Sequence, residues 1–234
     1  MGRLGVIAGS ALRASEFAGS GQRVEYAGVA VTEVDATIVL QRHGLDDWSP
    51  PHRIDHRSHL RALLEAGVDR VVALSSVGSL RTDWAVGTCV NVDDFYAPAT
   101  TLAFYDDYRS HTVPRFDAAW RGAVAQAWTG ATTTPLVDGG VYAQTSGPRF
   151  ETAAEVRALA TVADLVGMTV ASECILATEA GLPYAAIAVV DNLANGLGAI
   201  PLTMEEFDHG VATNRARLLA DLDALLPLLV AGSR

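Results

Sequence analysis

The chain has 234 residues, of which 50% are hydrophobic and 19% are charged, and this composition predicts a single α/β domain over residues 1–234. All 17 basic residues are arginine. The absence of lysine excludes a phosphate-loop NTPase with a GxxxxGKS/T motif and any enzyme that holds its cofactor through a lysine amine. The net charge of −10 makes binding to a nucleic-acid backbone improbable, since that binding needs a basic surface.

Cysteine content and apolar runs set further limits on the class of protein. The two cysteines, Cys89 and Cys174, cannot form a disulfide framework or a CxxC zinc pattern. No apolar run reaches the roughly 18 residues of a membrane span, and the first ten residues lack the features of a signal peptide. We therefore expect a cytoplasmic protein that does not bind membranes and acts on a small molecule.

Short β-branched runs alternate with amphipathic helical stretches along the chain. The predicted strands are Leu4–Ala8, Thr37–Leu40, Arg70–Leu74, Thr88–Val92, Leu136–Ala143, Asp164–Gly167 and Pro183–Val190. The predicted helices are His56–Ala66, Ala118–Ala127, Thr152–Ala160, Ser172–Ala180 and approximately Met204–Leu229. Continuous apolar strands are typical of a sheet that is covered on both faces. The alternation predicts a three-layer α/β/α sandwich with a mixed central sheet.

Several predicted strands end in residues that can bind an anion. Ser10 follows a glycine after the first strand, Arg42 and His43 follow the second, and Ser76 lies in the small-residue run after the third. Backbone N–H groups, hydroxyls and an arginine fork all suit phosphate oxygens. Each of these sites alone is equally typical of an ordinary strand exit.

Three histidines at short spacing, His52, His56 and His59, raise the question of a metal site. Prolines interrupt the segment, and no carboxylate is placed as a third ligand. We expect no metal here.

Later turns carry polar residues after predicted strands in the same way. These are TSGPRFET at 145–152, DLVGMTVASE at 164–173 and VVDNLANG at 189–196. Ligands of α/β proteins bind beyond the carboxyl ends of the strands. The turns therefore predict one common site for phosphate and a polar ligand.

The segments GVIAGSAL, RHG with PPHRID, SSVGSL, GPRFET, VGMTVASE and VDNLANG resemble the successive signatures of the trimeric purine nucleoside phosphorylase and methylthioadenosine phosphorylase family. The resemblance extends from Leu4 to about Leu219. It implies a homotrimer with the nucleoside phosphorylase fold. It also implies reversible phosphorolysis, in which phosphate attacks the anomeric carbon of a purine nucleoside and releases the free base and a ribose 1-phosphate. Phosphate is then a co-substrate, and no cofactor is needed.

The resemblance also implies a role for individual residues. Phosphate would be bound by Ser10, Arg42, His43, the backbone at Ser76, and Thr169. Substrate would be bound by Phe150 against the base, Met168 beneath the ribose, Glu151 and Asn192 at the purine edge, and Met204 at the 5′ position. The candidate catalytic residues are Asn192, His43 and Asp191. Asp191 is included because a one-residue shift at the strand exit would bring its carboxylate to the base instead.

Two positions bear on which nucleoside is used. An ionised Glu151 only accepts hydrogen bonds, so it favours a 6-oxopurine, which carries a hydrogen on N1, over a 6-aminopurine. Met204 replaces a histidine that family members place near a 5′-hydroxyl, and a thioether favours a 5′-deoxy or 5′-methylthio group. Alternatively, Met204 only packs the last helix on the core, and Asp191 only anchors the loop that follows it.

The segment 93–116 has no clear periodicity, and in the family this region lies near the subunit interface. Tyr105, Tyr108 and His111 are the candidates there to reach a neighbouring site. Other functions stay open at this point: a methylthioadenosine phosphorylase, a hydrolytic nucleosidase, or a nucleoside-binding homologue without catalytic activity.

Overall fold

The computed structural model describes residues 2–12, 21–199 and 201–232. The strands are β1 (Arg3–Ala8), β2 (Gln22–Tyr26), β3 (Val29–Val34), β4 (Thr37–Gln41), β5 (Val68–Ser79), β6 (Cys89–Asn91), β7 (Asp94–Tyr96), β8 (Leu136–Asp138), β9 (Val141–Gln144), β10 (Leu165–Gly167) and β11 (Tyr184–Leu193). The helices are α1 (His56–Glu65), α2 (Ala118–Ala131), α3 (Ala153–Leu159), α4 (Val170–Glu179) and α5 (Met204–Ala231). Short 3-10 turns lie at Ser10–Leu12, Pro51–Arg53 and Tyr108–Ser110.

The described strands form one mixed sheet around the long strand β5. One path through it runs β2-β3-β4-β1-β5-β10-β9-β7, and β11, β6 and β8 form a second branch from β5. β5 pairs in parallel with β1 and β11, and its last residues pair antiparallel with β10. The central strands consist of continuous buried apolar runs, as expected for a sheet with two covered faces.

Two pairs of helices cover the sheet. Leu60 of α1 and Cys174 of α4 belong to the core cluster on one side. Val124 of α2 and Leu222 of α5 belong to the cluster on the other side. The sheet therefore lies between two helical layers, and the predicted three-layer mixed α/β sandwich is confirmed. Within the described ranges, no helix has the length and apolar character needed to cross a membrane.

The helices begin where polar side chains satisfy their first N–H groups. Asp117 accepts a hydrogen bond from the N–H of Trp120, and Thr203 accepts one from the N–H of Glu206. α4 differs from the expectation, because it begins at Val170 rather than at Ser172, and its N-cap residue Thr169 makes no side-chain capping bond. The threonine hydroxyl is therefore not used to cap the helix.

The predicted strand Leu136–Ala143 is wrong as a single element. It divides into β8 and β9, because Gly139 adopts a positive φ of 103° and turns the chain between them. The sequence also did not indicate the β2–β3 hairpin or the short strand β7.

Candidate active site

A cleft with a volume of about 160 Å³ opens at the carboxyl ends of the central strands. Ten of the residues proposed from the sequence line it: Ser10, Arg42, His43, Ser76, Phe150, Glu151, Met168, Thr169, Asn192 and Met204. These residues come from segments distributed along the whole chain, so the sheet and the last helix together create the site.

Arg42 directly follows β4 and is almost fully buried, with 2% of its surface exposed. Its Nε and Nη2 donate to the two carboxylate oxygens of Glu173 at 2.5 and 3.0 Å, and its Nη1 donates to the carbonyl of Leu74 at 2.8 Å. A guanidinium carries five N–H groups, so two are left once these bonds are made. Arg42 therefore reaches the cleft as one half of an ion pair rather than as an isolated cation.

Gly9 makes room for this arrangement. A Cβ at Gly9 would lie 2.5 Å from Nη1 of Arg42 and 2.6 Å from the carbonyl oxygen of Leu74. Any side chain at this position would push the guanidinium out of place. The glycine before Ser10 thus lets the arginine pack directly against the first strand exit.

His43 adds an imidazole beside Arg42. Its Nδ1 lies 2.9 Å from the carbonyl oxygen of Ser49, and because a carbonyl only accepts, Nδ1 carries the hydrogen. Trp48 stacks on the same ring, with centroids 6.0 Å apart, and also lines the cleft. Sequence reasoning missed Trp48, although a tryptophan in a polar loop after the strand is the kind of signal that marks a binding residue.

Thr169 sits where the first turn of α4 meets the cleft. Its N–H donates to the Tyr142 hydroxyl at 3.1 Å, and the N–H groups of Val170 and Ser172 donate to Tyr142 and Gln144. The Thr169 hydroxyl makes no capping bond, so the hydroxyl is the group that Thr169 offers to an anion. Ser10 and Ser76 also line the cleft. Together with Arg42 and His43, these groups form a region suited to a phosphate.

Glu151 and Asn192 also line the cleft. Oε1 of Glu151 accepts a 2.6 Å hydrogen bond from the Thr145 hydroxyl, and the Glu151 carbonyl accepts one from Asn195 at 2.9 Å. Nδ2 of Asn192 donates to the Leu193 carbonyl at 2.9 Å. Both side chains are thus held in place by short bonds to neighbouring groups.

Apolar side chains form much of the rest of the cleft lining. The rings of Phe150 and Phe207 lie 6.0 Å apart, and Met168 packs closely against Gly147. Met204, at the start of α5, is 58% exposed and lines the cleft. It therefore does not pack the helix onto the core, which was the alternative considered from the sequence.

Asp191 is not among the residues that line the cleft. β11 has a register irregularity between Val190 and Asn192, and the Asp191 side chain is 1% exposed. It accepts a 2.7 Å hydrogen bond from Nδ2 of Asn214 on α5, and burial raises the pKa of its carboxyl. The structure thus places Asn192 and not Asp191 at the cleft, and Asp191 contacts α5 rather than the loop after it.

Other predicted positions lie outside the cleft. Tyr105, Tyr108 and His111 do not line it, and Tyr108 is 83% exposed. His56 and His59 are in edge contact beside Glu173. Among the described residues, no three His, Cys, Asp or Glu side chains form a group that could hold a metal ion.

Comparison with known proteins places these observations in a family context. A family model described as the phosphorylase superfamily matches residues 3–227. The chain is 38% identical over 159 residues to a probable 6-oxopurine nucleoside phosphorylase of Archaeoglobus fulgidus, a match that covers 68% of this chain and 65% of that protein, just under two thirds of its length.

Two further comparisons cover more of the chain. It is 34% identical to a probable S-methyl-5′-thioinosine phosphorylase of Methanosarcina acetivorans, over 82% of this chain and 76% of that protein. It is 32% identical to a 6-oxopurine nucleoside phosphorylase of Pyrococcus furiosus, over 98% and 94%. The solved structure of methylthioadenosine phosphorylase from Schistosoma mansoni with adenine has a TM-score of 0.83 at 23% identity, over 100% of this chain and 93% of that one. That last likeness shows a shared fold.

Proposed function

Because this chain belongs to the phosphorylase superfamily, we propose that it catalyses the reversible phosphorolysis of a purine nucleoside. One observation carries the proposal: anion-binding side chains and a carboxylate–amide pair line the same cleft. Phosphate and nucleoside would therefore be bound in the same cleft.

Phosphate is the nucleophile, and the protein positions it. Arg42, His43, Ser10, Ser76 and Thr169 bind its oxygens and direct one of them at the anomeric carbon. The bond between that carbon and the purine breaks as the new carbon–oxygen bond forms. The dianion stabilises the positive charge that develops on the sugar, so no covalent enzyme intermediate and no cofactor are needed. Phosphate is consumed as a co-substrate.

The leaving purine needs hydrogen-bond donors and acceptors at its edge. The carboxylate of Glu151 accepts from N1–H of a 6-oxopurine, and the amide of Asn192 donates to O6 or N7 as negative charge builds up. Two of the relatives are named as 6-oxopurine nucleoside phosphorylases, in agreement with this choice of base. We therefore propose hypoxanthine or guanine as the leaving base, with a 6-aminopurine as the alternative.

The 5′ end of the sugar lies against Met204 in this proposal. The thioether packs well against an apolar or sulfur-bearing group but is a weak hydrogen-bond acceptor for a hydroxyl. The substrate is then a 5′-deoxy or 5′-methylthio nucleoside, which agrees with the S-methyl-5′-thioinosine specificity in the name of the Methanosarcina relative.

We also propose that the chain acts in the cytoplasm as a homotrimer. Both cysteines are free and buried, which suits a reducing compartment. Tyr108 and Val113 expose 83% and 85% of their surface in the segment expected to meet a neighbouring subunit. Neither nucleic acid nor membrane is a partner in this proposal.

The test is the release of free base from 5′-methylthioinosine with and without inorganic phosphate. We expect the release of hypoxanthine to depend on phosphate, and 5-methylthioribose 1-phosphate to form in an equal amount. Release at the same rate in phosphate-free buffer would identify a hydrolytic nucleosidase, and binding without release would identify a non-catalytic homologue.

A pair of variants then tests whether Thr169 contributes to phosphate binding. Thr169→Ala removes a hydroxyl from the cleft, and we expect the KM for phosphate to rise at least fivefold. Thr161→Ala, at an exposed position outside the cleft, is the matched control and should leave that KM unchanged.

A further inference from the structure

A buried carboxylate lies directly behind the proposed phosphate region. Glu173 belongs to α4, is 1% exposed and does not line the cleft. Its two oxygens accept from Nε and Nη2 of Arg42 at 2.5 and 3.0 Å, and Oε2 also accepts from the Tyr184 hydroxyl at 2.7 Å. Such a two-point contact fixes the rotation of the guanidinium plane as well as its position.

The charges around this pair nearly cancel. Burial opposes ionisation of Glu173, but attraction to Arg42 outweighs it and holds the pKa of the carboxyl below its usual value. Nδ1 of His56 lies 3.9 Å from Oε1, and burial lowers the pKa of this imidazole to about 4, so it adds no positive charge at neutral pH. Arg42 and Glu173 together therefore form a net neutral unit at the base of the cleft.

We propose that Glu173 is a positioning residue for phosphate, which directs the guanidinium of Arg42 into the cleft and offsets its charge. The inference rests on the proposed function, because it takes Arg42 as a phosphate ligand. In this arrangement phosphate is bound by directed hydrogen bonds rather than by an excess of positive charge. A phosphate held in this way can exchange between turnovers.

Glu173 is proposed to orient Arg42 and to offset its charge, and removing the negative charge of Glu173 separates these two contributions. In Glu173→Gln, Arg42 keeps its charge but loses its balancing partner, so the cleft attracts anions more strongly. At the same time the amide cannot accept both N–H groups, so the guanidinium rotates away from the geometry that the transition state needs. Binding of phosphate and turnover should then change in opposite directions.

The experiment measures kcat, the KM for phosphate and the KM for nucleoside separately. For Glu173→Gln we expect the KM for phosphate to fall at least threefold and kcat to fall at least tenfold, with the nucleoside KM within twofold of the wild type. The matched control is Glu179→Gln on the same helix, whose carboxylate accepts N–H groups of Phe104 and Tyr105 outside the cleft. The control should change each constant less than twofold.

A second variant covers the case in which Glu173→Gln does not fold. Tyr184→Phe keeps the ion pair and nearly the same volume but removes the hydroxyl that holds Glu173. Because the charge of Glu173 is kept and only its orientation is loosened, we expect kcat to fall at least threefold and the KM for phosphate to stay within twofold of the wild type. If Tyr184→Phe behaves like Glu179→Gln, or if both KM values rise in parallel with the loss of kcat, Glu173 has only a structural role and the inference is wrong.

Arg42→Lys distinguishes failure of this inference from failure of the proposed function. The lysine keeps a positive charge but loses the planar fork. An unchanged phosphate KM in this variant would show that Arg42 does not bind phosphate. That result would contradict the function proposed for Arg42. A raised phosphate KM, with Glu173→Gln indistinguishable from its control, would contradict only the role of Glu173.

Discussion

The hydroxyl of Thr145 donates a 2.6 Å hydrogen bond to Oε1 of Glu151. Because a carboxylate cannot donate in return, this bond fixes the carboxyl plane and occupies one oxygen. No hydrogen bond to Oε2 is made within the described part of the chain. Oε2 is therefore the oxygen that can accept a hydrogen from the base.

The first prediction concerns the base. We expect the wild type to prefer 5′-methylthioinosine over 5′-methylthioadenosine by at least tenfold in kcat/KM, because only the 6-oxo base offers a hydrogen at N1 to Glu151. Glu151→Gln can turn an amide N–H toward the bare N1 of adenine, so the preference should shrink. Glu155→Gln, whose carboxylate pairs with exposed Arg149, is the control and should keep it. A wild-type preference for the adenosine would contradict the assignment.

A second prediction concerns the 5′ group. The specificity constant for 5′-methylthioinosine should exceed that for inosine by tens to hundreds of fold, since an apolar contact contributes about 1–3 kcal/mol. Met204→His should reduce that ratio by supplying a partner for the hydroxyl. Leu228→His, an exposed position on the same helix but outside the cleft, should leave the ratio as it is. Equal constants in the wild type would show that Met204 does not face the 5′ group.

The third prediction concerns acid stability. Burial lowers the pKa of His56 from 6.5 to about 4, while Arg42 and His59 also oppose its protonation and Glu173 favours it. Between these two pH values the unfolded chain binds a proton at this position and the folded chain does not. The free energy of unfolding should therefore fall as pH drops from 6.5 to 4, by up to about 3 kcal/mol from this residue.

Urea unfolding at several pH values checks the effect. His56→Gln should lose less stability than the wild type over this range. His52→Gln, at an exposed position four residues earlier, should follow the wild-type curve. Parallel curves for the wild type and His56→Gln would contradict the prediction.

The fourth prediction concerns the glycine at the first strand exit. Gly9→Ala places a Cβ 2.5 Å from Nη1 of Arg42, so the guanidinium must move. We expect the KM for phosphate to rise at least tenfold and the protein to lose about 1–3 kcal/mol of stability. Gly122→Ala, inside α2 with no heavy atom within 4 Å, is the control. The free energy of unfolding of Gly122→Ala should exceed that of the wild type by about 0.5–1 kcal/mol, because alanine favours the helix. Thermal unfolding and phosphate saturation curves measure both effects.

Much of the site can be read from the sequence, because its residues follow strand ends and the fold brings strand ends together. Arg42 is identified in this way. Its partner Glu173 is 131 residues away and has the sequence pattern of an ordinary helix residue, so only the structure reveals the ion pair.

This ion pair affects the stability expected of an Arg42 variant. Arg42→Ala would leave Glu173 buried and unpaired, and a loss of about 3–5 kcal/mol in stability would accompany any loss of phosphate binding.

The fold is harder to predict from the sequence where a turn lacks its usual residues. β2 and β3 are joined by Ala27 and Gly28, both with positive φ, at 48° and 76°. A two-residue turn of this kind normally carries Asn-Gly, and alanine at its first position hides the signal. Asp191 and Asn192 illustrate a similar limit, because the register irregularity in β11 decides which of the two adjacent side chains enters the cleft.

The cleft takes Ser10 from the exit of the first strand and Met204 from the start of the last helix. No partly folded chain that lacks either end can contain it, so occupancy of the site and global folding are one cooperative equilibrium. Phosphate or nucleoside should then protect every region of the molecule from proteolysis and hydrogen exchange, including segments far from the cleft. At a ligand concentration 100 times its Kd the added stability is about 2.7 kcal/mol.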